Sequence, residues 1–95
     1  MKIIPSPIAF QWDHGNVHKN LHKHGVTNEE CEEVFFDHRK LILKDTLHSA
    51  KEDRHILVGH TKLNRPLFII FTVREVYVRI ISARDLNKKE NKLFL

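Results

Sequence analysis

Apolar residues at helical spacing mark the first third of the chain. Val17 and Leu21 are four residues apart, and they stand between Asp13 and Gly25. Asp is a favoured N-cap and Gly a favoured C-terminal stop, so the pattern predicts a helix that Asp13 caps and that runs to about His24. On this helix Val17 and Leu21 face the core.

A second helix is predicted directly after Gly25. Thr27 and Glu30 have the S/T-x-x-E spacing of a capping box. An apolar stripe follows at helical spacing: Cys31, Val34 and Phe35. The two helices are therefore predicted to form an αα-hairpin around Gly25.

Strand patterns surround and follow these helices. A short first strand is predicted at Ile8–Trp12, and Leu41–Leu43 is a short apolar run. Three longer runs have strand character: His55–Val58, Leu67–Val73 and Val76–Ser82. The middle run is apolar on both faces, as in a central strand covered on both sides, and the third alternates. Tight connections at Asn64–Pro66 and Arg74–Glu75 predict an antiparallel meander.

The elements together predict one fold class. Asn87 is placed to cap a short final helix. Residues 1–95 are predicted to form a single α+β domain. In it, an N-terminal helical hairpin packs on a mainly antiparallel sheet of about four strands, with a short C-terminal helix.

Composition narrows the class of protein. Hydrophobic residues make up 41% and charged residues 29% of the chain, a balance typical of a folded domain and not of a disordered one. No apolar run approaches the roughly 18 residues that a membrane helix needs. Pro5 and Pro7 interrupt any signal-peptide core, and the single cysteine cannot form an internal disulfide. We therefore expect a cytoplasmic protein that does not bind membranes.

Charge adds a first indication of the partner. Sixteen Lys and Arg against twelve Asp and Glu give a net charge of +4, and there are eight histidines. The interval from Thr27 to Asp37 holds five acids and no Lys or Arg, whereas the interval from Arg74 to Lys92 holds six bases and three acids. A basic surface favours an anionic partner, most often nucleic acid. The alternative is a solvated surface without a partner.

A histidine metal site is the first chemical alternative. On a helix His14, His18 and His22 would share one face, at a spacing that can hold a metal ion. Lys19 and Lys23 beside them would repel a dication, and no carboxylate or cysteine stands at ligand spacing. We therefore expect a solvent-facing, weakly basic helix and no metal.

The residue types present suffice for metal-free RNA cleavage. No Gly-rich phosphate loop or nucleophile elbow occurs, and Cys31 lies on an apolar stripe typical of a core residue. RNA cleavage needs a base for the ribose 2′-OH, an acid for the leaving 5′-oxygen and cations around the phosphate. Six residues of suitable type are candidates: Glu52, Arg54, His24, Arg74, Arg79 and Arg84.

A series of short motifs runs along nearly the whole chain. It comprises Phe10–Asp13 (FQWD), Lys19–Thr27 (KNLHKHGVT), Glu29–Glu30, Val34–Asp37 (VFFD), His48–Ser49, Glu52–Arg54 (EDR), Val58–Gly59, Arg65, Phe71–Arg74 (FTVR), Arg79–Arg84 (RIISAR) and Lys88–Glu90. In order and spacing this series resembles the BrnT family of toxins. The chain departs from the family pattern at Asn16 and His18, where many members carry a lysine and an arginine, and at His38, where proline is common.

The resemblance implies a type II toxin. Such a protein is a small ribonuclease with a RelE-like fold, needs no cofactor and stops translation by cutting RNA, either free or ribosome-bound. The implied partner is a BrnA-type antitoxin, a DNA-binding protein that holds the toxin inactive and represses their shared operon. The toxin would meet operator DNA only through that antitoxin.

Catalytic roles follow from the same resemblance. Glu52 is expected to act as base and Arg54 as phosphate clamp, and two side chains at this spacing face the same side of an extended segment. The alternative is a plain surface ion pair. Arg74 and Arg79, on adjacent strands, are expected to meet a phosphate together. His24 is expected to act as acid or base, or else to cap the helix C-terminus.

Further residues are expected to bind the RNA: Lys19, Lys23, Arg65, Arg84 and Trp12. A structural role is the favoured alternative for Trp12, because an aromatic residue that ends a strand is usually part of the core. Arg84 alternatively pairs with an acid. A different class of function also stays open, namely a nucleic-acid- or antitoxin-binding module without turnover, because Asn16 and His18 depart from the family pattern.

Overall fold

The computed structural model describes residues 3–47 and 51–94, and in those ranges the chain forms three helices and four strands. The helices are α1 (Lys19–His24), α2 (Asn28–Val34) and α3 (Lys88–Phe94). The strands are β1 (Leu41–Lys44), β2 (His55–His60), β3 (Pro66–Arg74) and β4 (Tyr77–Asp85). The motif residues His48 and Ser49 lie outside the described residues. No helix within the described ranges is long and apolar enough to cross a membrane.

The four strands form one antiparallel sheet in the order β1-β2-β3-β4, which confirms the predicted α+β fold and its meander. Helix α2 packs against β2 and β3, and α1 packs against β4. The core between helices and sheet consists of buried apolar side chains such as Val34 on α2, Leu57 on β2 and Ile69 on β3. On the other face of β3, Phe68 and Ile70 are only half-buried, so this face is less covered than the apolar sequence predicts.

Local sequence signals set the predicted helix ends. Gly25 ends α1 in the left-handed region at φ 64°. The Thr27 hydroxyl accepts a hydrogen bond from the Glu30 backbone N–H at 3.1 Å, and the Glu30 carboxylate accepts one from the Thr27 N–H at 2.9 Å. Asn87 and Glu90 make the same reciprocal pair at α3, at 2.8 and 3.1 Å. Each end is therefore satisfied within four residues of sequence.

Both predicted tight connections are present. Asn64 precedes β3 at φ 67°, and Glu75 joins β3 to β4 at φ 57°. Asn enters this left-handed region readily, whereas Glu does so at a cost. The hairpin at Glu75 therefore forms without the glycine that such turns favour, held by the pairing of Arg74 with Tyr77.

The first helix is shorter than predicted and buries a different face. It begins at Lys19, and Asp13 starts a turn, with its carbonyl accepting from the Val17 N–H at 2.8 Å. Leu21, predicted to face the core, is 55% exposed. Asn16 and Asn20, also four residues apart, are 2% and 1% exposed and form the buried face instead. The prediction was wrong because these amides bind β4, a partner that periodicity does not reveal.

Residues 9–20, which we call the N-terminal segment, form hydrogen bonds along the outer side of β4. The Asn16 amide donates to the Ile80 carbonyl at 3.0 Å, and the Asn20 side-chain oxygen accepts from the Ala83 N–H at 2.9 Å. Lys19 Nζ donates to the carbonyl of Ile81 at 3.0 Å. Ile81 is the extra residue at a bulge, where the register between β3 and β4 shifts. Edge-strand backbone groups thus find partners in side chains of the α1 segment.

The short first strand predicted at Ile8–Trp12 reduces to a single parallel bridge between Phe10 and Val78. The Val78 N–H donates to the Ala9 carbonyl and the Val78 carbonyl accepts from the Gln11 N–H, both at 2.8 Å. Pairing stops there because the Gln11 carbonyl accepts from the Asn16 amide at 3.0 Å. A side chain therefore takes the place of the next strand bond.

Asp37 joins the end of the helical region to β2. Its carboxylate accepts from the backbone N–H groups of His60 at 2.7 Å and Arg39 at 3.1 Å. Burial raises the pKa of Asp37, but these hydrogen bonds outweigh burial and lower the pKa to about 2. The neighbouring strand residue is Gly59, where a Cβ would lie 2.9 Å from Val34 Cγ1. The absence of a side chain at Gly59 lets α2 and Asp37 approach β2.

Replacing Asn16 tests how strongly the N-terminal segment stabilises the fold. The variant Asn16→Ala leaves the Ile80 and Gln11 carbonyls without their amide donor, and we expect the free energy of unfolding to fall by about 2–3 kcal/mol. Urea denaturation of the wild type and the variant measures this loss, with His14→Ala, at an exposed position, as control. A loss below about 0.5 kcal/mol would contradict the assigned role.

The low pKa of Asp37 makes stability depend on pH. Because the folded-state pKa is below the ordinary value of 3.8, the ionised carboxylate stabilises the fold above pH 3.8, and this stabilisation is lost as pH falls toward 2. We expect Asp37→Asn to remove about 2 kcal/mol of pH-dependent stability in that interval. Denaturation measured at several acidic pH values checks this. An unchanged pH slope in the variant would show that Asp37 is not responsible.

Candidate active site

Two of the predicted arginines project from one face of the sheet. Arg79 on β4 lies opposite Thr72 on β3, and Arg74 is two residues beyond Thr72. Side chains two residues apart on a strand share a face, and opposed residues share it too. Arg74 and Arg79 are therefore diagonal neighbours on the same face, as their predicted places on adjacent strands require.

Glu52 lies against these arginines. Its carboxylate accepts two hydrogen bonds from Arg74, one from Nε at 3.1 Å and one from Nη2 at 3.0 Å. The hydrogen bonds from Arg74 are the main cause that lowers the pKa of Glu52, and the charges of Arg74, Arg54 and Arg79 lower it further. Glu52 is consequently a carboxylate in the field of three guanidinium groups, ionised at neutral pH.

Asp13 completes this group from the N-terminal segment. Its two carboxylate oxygens accept from Arg79 Nη1 at 2.7 Å and Nη2 at 2.9 Å. These bonds come first among the causes that lower the pKa of Asp13, followed by the Gly15 N–H. The Arg79 side chain is only 13% exposed, so its guanidinium is held in one place. The prediction that Asp13 caps a helix is wrong, and its partner is Arg79.

Gly15 lies directly against the Arg79 side chain. A Cβ at Gly15 would lie 2.6 Å from Arg79 Nη2. The turn after Asp13 therefore passes close over the guanidinium because no side chain intervenes. We refer to Arg54, Arg74 and Arg79, together with Glu52 and Asp13, as the arginine cluster.

A cleft of about 500 Å³ adjoins the arginine cluster on the sheet. Its apolar lining consists of Ile56 on β2, Phe68 and Ile70 on β3, Ile81 on β4, and Leu47. The cations that line it are Lys19, Arg54 and Arg84, and Asp45 and Ser82 complete it. We call this the cationic cleft. Arg54 belongs to both the cleft and the arginine cluster, so the two are continuous.

Arg84 is fixed in the cleft from two sides. Its guanidinium carbon lies 4.3 Å from the centre of the Phe68 ring. Glu90 on α3 accepts from Arg84 Nη1 at 2.7 Å and Nη2 at 2.9 Å. The pairing of Arg84 with an acid, given above as the alternative to RNA binding, is therefore present. An ion-paired arginine can still present its remaining surface to a ligand.

Arg65 joins the loops at the opposite end of β4. It donates to Asp85 at 2.6 and 3.0 Å, to Glu30 at 3.0 and 3.2 Å, and to the Gly25 carbonyl at 3.0 Å. The bonds to Asp85 are the main cause that raises the pKa of Arg65. A half-buried guanidinium thus ties the α1–α2 connection to the end of the sheet.

His24 lies at this same end. Its carbonyl accepts from Arg65 at 3.4 Å, and His24 is close enough to contribute to the lowered pKa of Asp85, after Arg65. Asp85 is six residues from Arg79 along β4, about 20 Å at 3.3 Å per residue. The structure therefore does not bring His24 and Arg65 together with Glu52. Lys23 is exposed on α1 and directly precedes His24.

Trp12 connects the N-terminal segment to α2. Its indole Nε1 donates to a Glu32 oxygen at 2.7 Å, and its ring packs against the core. This is the contact expected of the structural alternative. Among the described residues, nothing places the Trp12 ring against the arginine cluster.

The structure also bears on the predictions for Cys31 and for the histidines. Cys31 is fully buried, as predicted for a core residue, and burial raises its pKa to about 12, so it is not a thiolate nucleophile. His14 and His18 precede α1, so the helical spacing assumed for a metal site does not apply to them. Within residues 3–47 and 51–94 no three His, Cys, Asp or Glu side chains are grouped as metal ligands.

The model of the family described as "Ribonuclease toxin, BrnT, of type II toxin-antitoxin system" matches residues 12–90. The matched range contains Asp13, Glu52 and the arginines of the arginine cluster, as well as Glu90 on α3. A comparison with curated proteins gives no match.

Proposed function

This chain belongs to the BrnT family of ribonuclease toxins of type II toxin–antitoxin systems, and on that premise we propose that it is a metal-independent endoribonuclease that arrests translation in the cytoplasm. The observation that supports this proposal best is the arginine cluster, where the Glu52 carboxylate lies in the field of three guanidinium groups. A base beside several cations is the equipment that cleavage by the ribose 2′-OH needs.

In the proposed reaction, the 2′-oxygen of the RNA attacks the adjacent phosphorus. Glu52 takes the proton of the 2′-OH as the new phosphorus–oxygen bond forms. The bond to the 5′-oxygen then breaks, a water molecule protonates the leaving oxygen, and the proton held by Glu52 returns to the resulting hydroxide, which restores the carboxylate. The products are a 2′,3′-cyclic phosphate and a free 5′-hydroxyl, and no metal ion takes part.

The ion pair between Glu52 and Arg74 gives this reaction a trigger. While Arg74 holds Glu52, the pKa of the carboxylate is lowered and it is a weak base. A phosphate oxygen competes for the same guanidinium donors, because Arg binds carboxylates and phosphates with the same fork geometry. Substrate binding thus moves Arg74 to the phosphate and releases Glu52 as a stronger base.

The other cations divide between the reacting phosphate and its neighbours. Arg79, held by Asp13, stabilises the charge that develops on the phosphate, and Arg54 clamps it from the cleft side. Lys19 and Arg84 bind the adjoining nucleotides. The more distant sequence candidates take other places in the proposal: Lys23 and His24 contact RNA away from the reacting phosphate, and Trp12 and Arg65 maintain the fold.

A type II system supplies a protein antitoxin, and we propose one of the BrnA type. It binds DNA, so the toxin reaches operator DNA only through it. An antitoxin that blocks RNA cleavage by direct contact has to cover the arginine cluster or hold Arg74 on Glu52. Co-expression with the antitoxin is therefore expected to restore growth to cells that the toxin arrests.

A second candidate function is RNA or antitoxin binding without turnover. The arginines are extensively ion-paired: Arg65 with Glu30 and Asp85, Arg74 with Glu52, Arg79 with Asp13, and Arg84 with Glu90. These pairs reduce the positive field available for catalysis and favour this second function. Expression of variants in growing cells separates the enzyme from the binding module. If the protein acts only by binding, the variants Glu52→Gln and Arg79→Ala still arrest growth; if it acts by cleavage, they do not.

Cleavage of RNA by the purified protein, freed of antitoxin and in excess EDTA, tests the enzyme directly. We expect products with 2′,3′-cyclic phosphate ends and a rate that falls about 10²–10⁴-fold in Glu52→Gln, the range for loss of a positioned base. Free RNA and ribosome-bound messenger are both offered as substrates.

Stability provides the control for this experiment. Glu52 and Arg74 are 31% and 49% exposed, so water screens their ion pair, the pair contributes little to stability, and Glu52→Gln remains folded. Equal cleavage by the folded variant would exclude Glu52 as base. Intact RNA with both substrates would exclude the enzyme and support the binding module.

A further inference from the structure

We propose that the cationic cleft is a nucleobase-binding site, which receives one base of the RNA that the arginine cluster holds by its backbone. The inference deepens the proposed function and rests on it, since the occupant is part of the same RNA. It nonetheless concerns a different part of the molecule. The apolar floor of the cleft takes no part in the proposed reaction, and it is not part of the core between the helices and the sheet.

The lining of the cleft matches the two chemical parts of a nucleotide. Phe68 and Ile70 are half-buried and form the floor together with Ile56. The cations Lys19, Arg54 and Arg84 lie among these apolar groups. A base is a flat, largely apolar ring that is always followed by a phosphate, so it can cover such a floor while its phosphates meet the cations. The volume of about 500 Å³ is in the range of small-ligand sites.

Phe68 and Arg84 supply groups on which a base can stack. Bases stack on aromatic rings and on guanidinium planes without regard to sequence, because every base has a π-face. Arg84 lies over one face of the Phe68 ring, 4.3 Å from the ring centre, and is anchored by Glu90, so an incoming base stacks on the outer face of this guanidinium or beside it on the ring. Both groups are thus in place before RNA arrives, which lowers the ordering cost of binding.

The sheet register connects the cleft to the reacting phosphate. Phe68 is paired with Arg84, and Thr72 is paired with Arg79, four residues further along β3. Four residues of strand span about 13 Å, and Phe68 and Thr72 share one face. An RNA strand lying along β3 can therefore place a phosphate at Arg79 and a nearby base at Phe68.

An apolar segment of the antitoxin is the other occupant that such a floor admits. The cations favour RNA, because an apolar peptide would bury Lys19 and the exposed part of Arg84 away from water, whereas RNA brings phosphates to them. Continuity with the arginine cluster through Arg54 favours RNA as well. If the floor serves the antitoxin alone, RNA affinity will not depend on any base in the cleft.

Binding of 2′-O-methyl oligonucleotides tests the proposal, because a methylated 2′-oxygen cannot attack and the RNA stays intact. The base is removed at one position at a time, which leaves the backbone charge unchanged. We expect the wild type to lose at least about fivefold in affinity at one abasic position, the lower limit of base–aromatic stacking. Phe68→Leu retains an apolar side chain but has no ring, and we expect it to bind intact and abasic oligonucleotides alike.

The matched control is Phe36→Leu, the same substitution at a phenylalanine that is 62% exposed and does not line the cleft. It should discriminate as the wild type does. Equal affinity of the wild type for intact and abasic oligonucleotides at every position overturns the proposal, even if Phe68→Leu does not fold. Undiminished discrimination by folded Phe68→Leu overturns it too.

The result is independent of turnover. If unmodified RNA is not cleaved but an abasic position still weakens binding, the enzyme is excluded and the base site is retained. If RNA is cleaved but no base matters, only the base site is lost. Absence of any binding to the oligonucleotides contradicts the base site, whereas the enzyme is excluded only if ribosome-bound messenger also stays intact.

Discussion

The backbone of the edge strand β4 has no neighbouring strand on its outer side, and the N-terminal segment satisfies it. The Asn16 and Asn20 side chains bind Ile80 and Ala83, and Lys19 binds the bulged Ile81. Asn16 also accepts a hydrogen bond from the Asp13 N–H at 2.8 Å. The same contacts that close the sheet edge therefore place the Asp13 carboxylate beside Arg79. Fold and candidate site share one set of hydrogen bonds.

The carboxylates paired with the arginines determine which guanidinium groups are held in place and which can move to a ligand. In the free protein Arg74 and Arg79 are each held by two oxygens of one carboxylate, Glu52 and Asp13 respectively. The two pairs differ in exposure: the Arg79 side chain is 13% exposed and that of Arg74 is 49% exposed. Arg79 is accordingly a fixed donor, whereas Arg74 is free to exchange partners. In the proposed reaction this difference separates a positioned cation from a cation that releases the base.

The sequence predicted those parts of the structure that depend on neighbouring residues. The capping box at Thr27, the cap at Asn87, the stop at Gly25 and the meander each depend on signals a few residues apart. Reasoning from neighbouring residues did not predict the first helix correctly. Asn16 and Asn20 bind residues more than 60 positions away, and helical periodicity assigned the buried face to apolar residues instead.

The candidate site was predictable to the same extent. Strand order was enough to place Arg74 and Arg79 together, whereas the hydrogen bonds between Glu52 and Arg74 were not predicted. The partner of Arg79 was missed because Asp13 is 66 residues away and looks like a helix cap. Trp12, which belongs to the same motif and directly precedes Asp13, was the available signal, because its hydrogen bond to Glu32 anchors this part of the chain to α2. Phe68 gave no signal, because an apolar strand residue does not show which face is open.

The central claim is that a guanidinium fixed at position 79 stabilises the charge on the reacting phosphate. Single-turnover cleavage at saturating RNA by Arg79→Lys tests it most directly, since the charge is kept while the two-pronged geometry is lost. The account predicts a rate at least about tenfold below the wild type, with RNA binding largely retained. A folded Arg79→Lys protein that cleaves as fast as the wild type would contradict it.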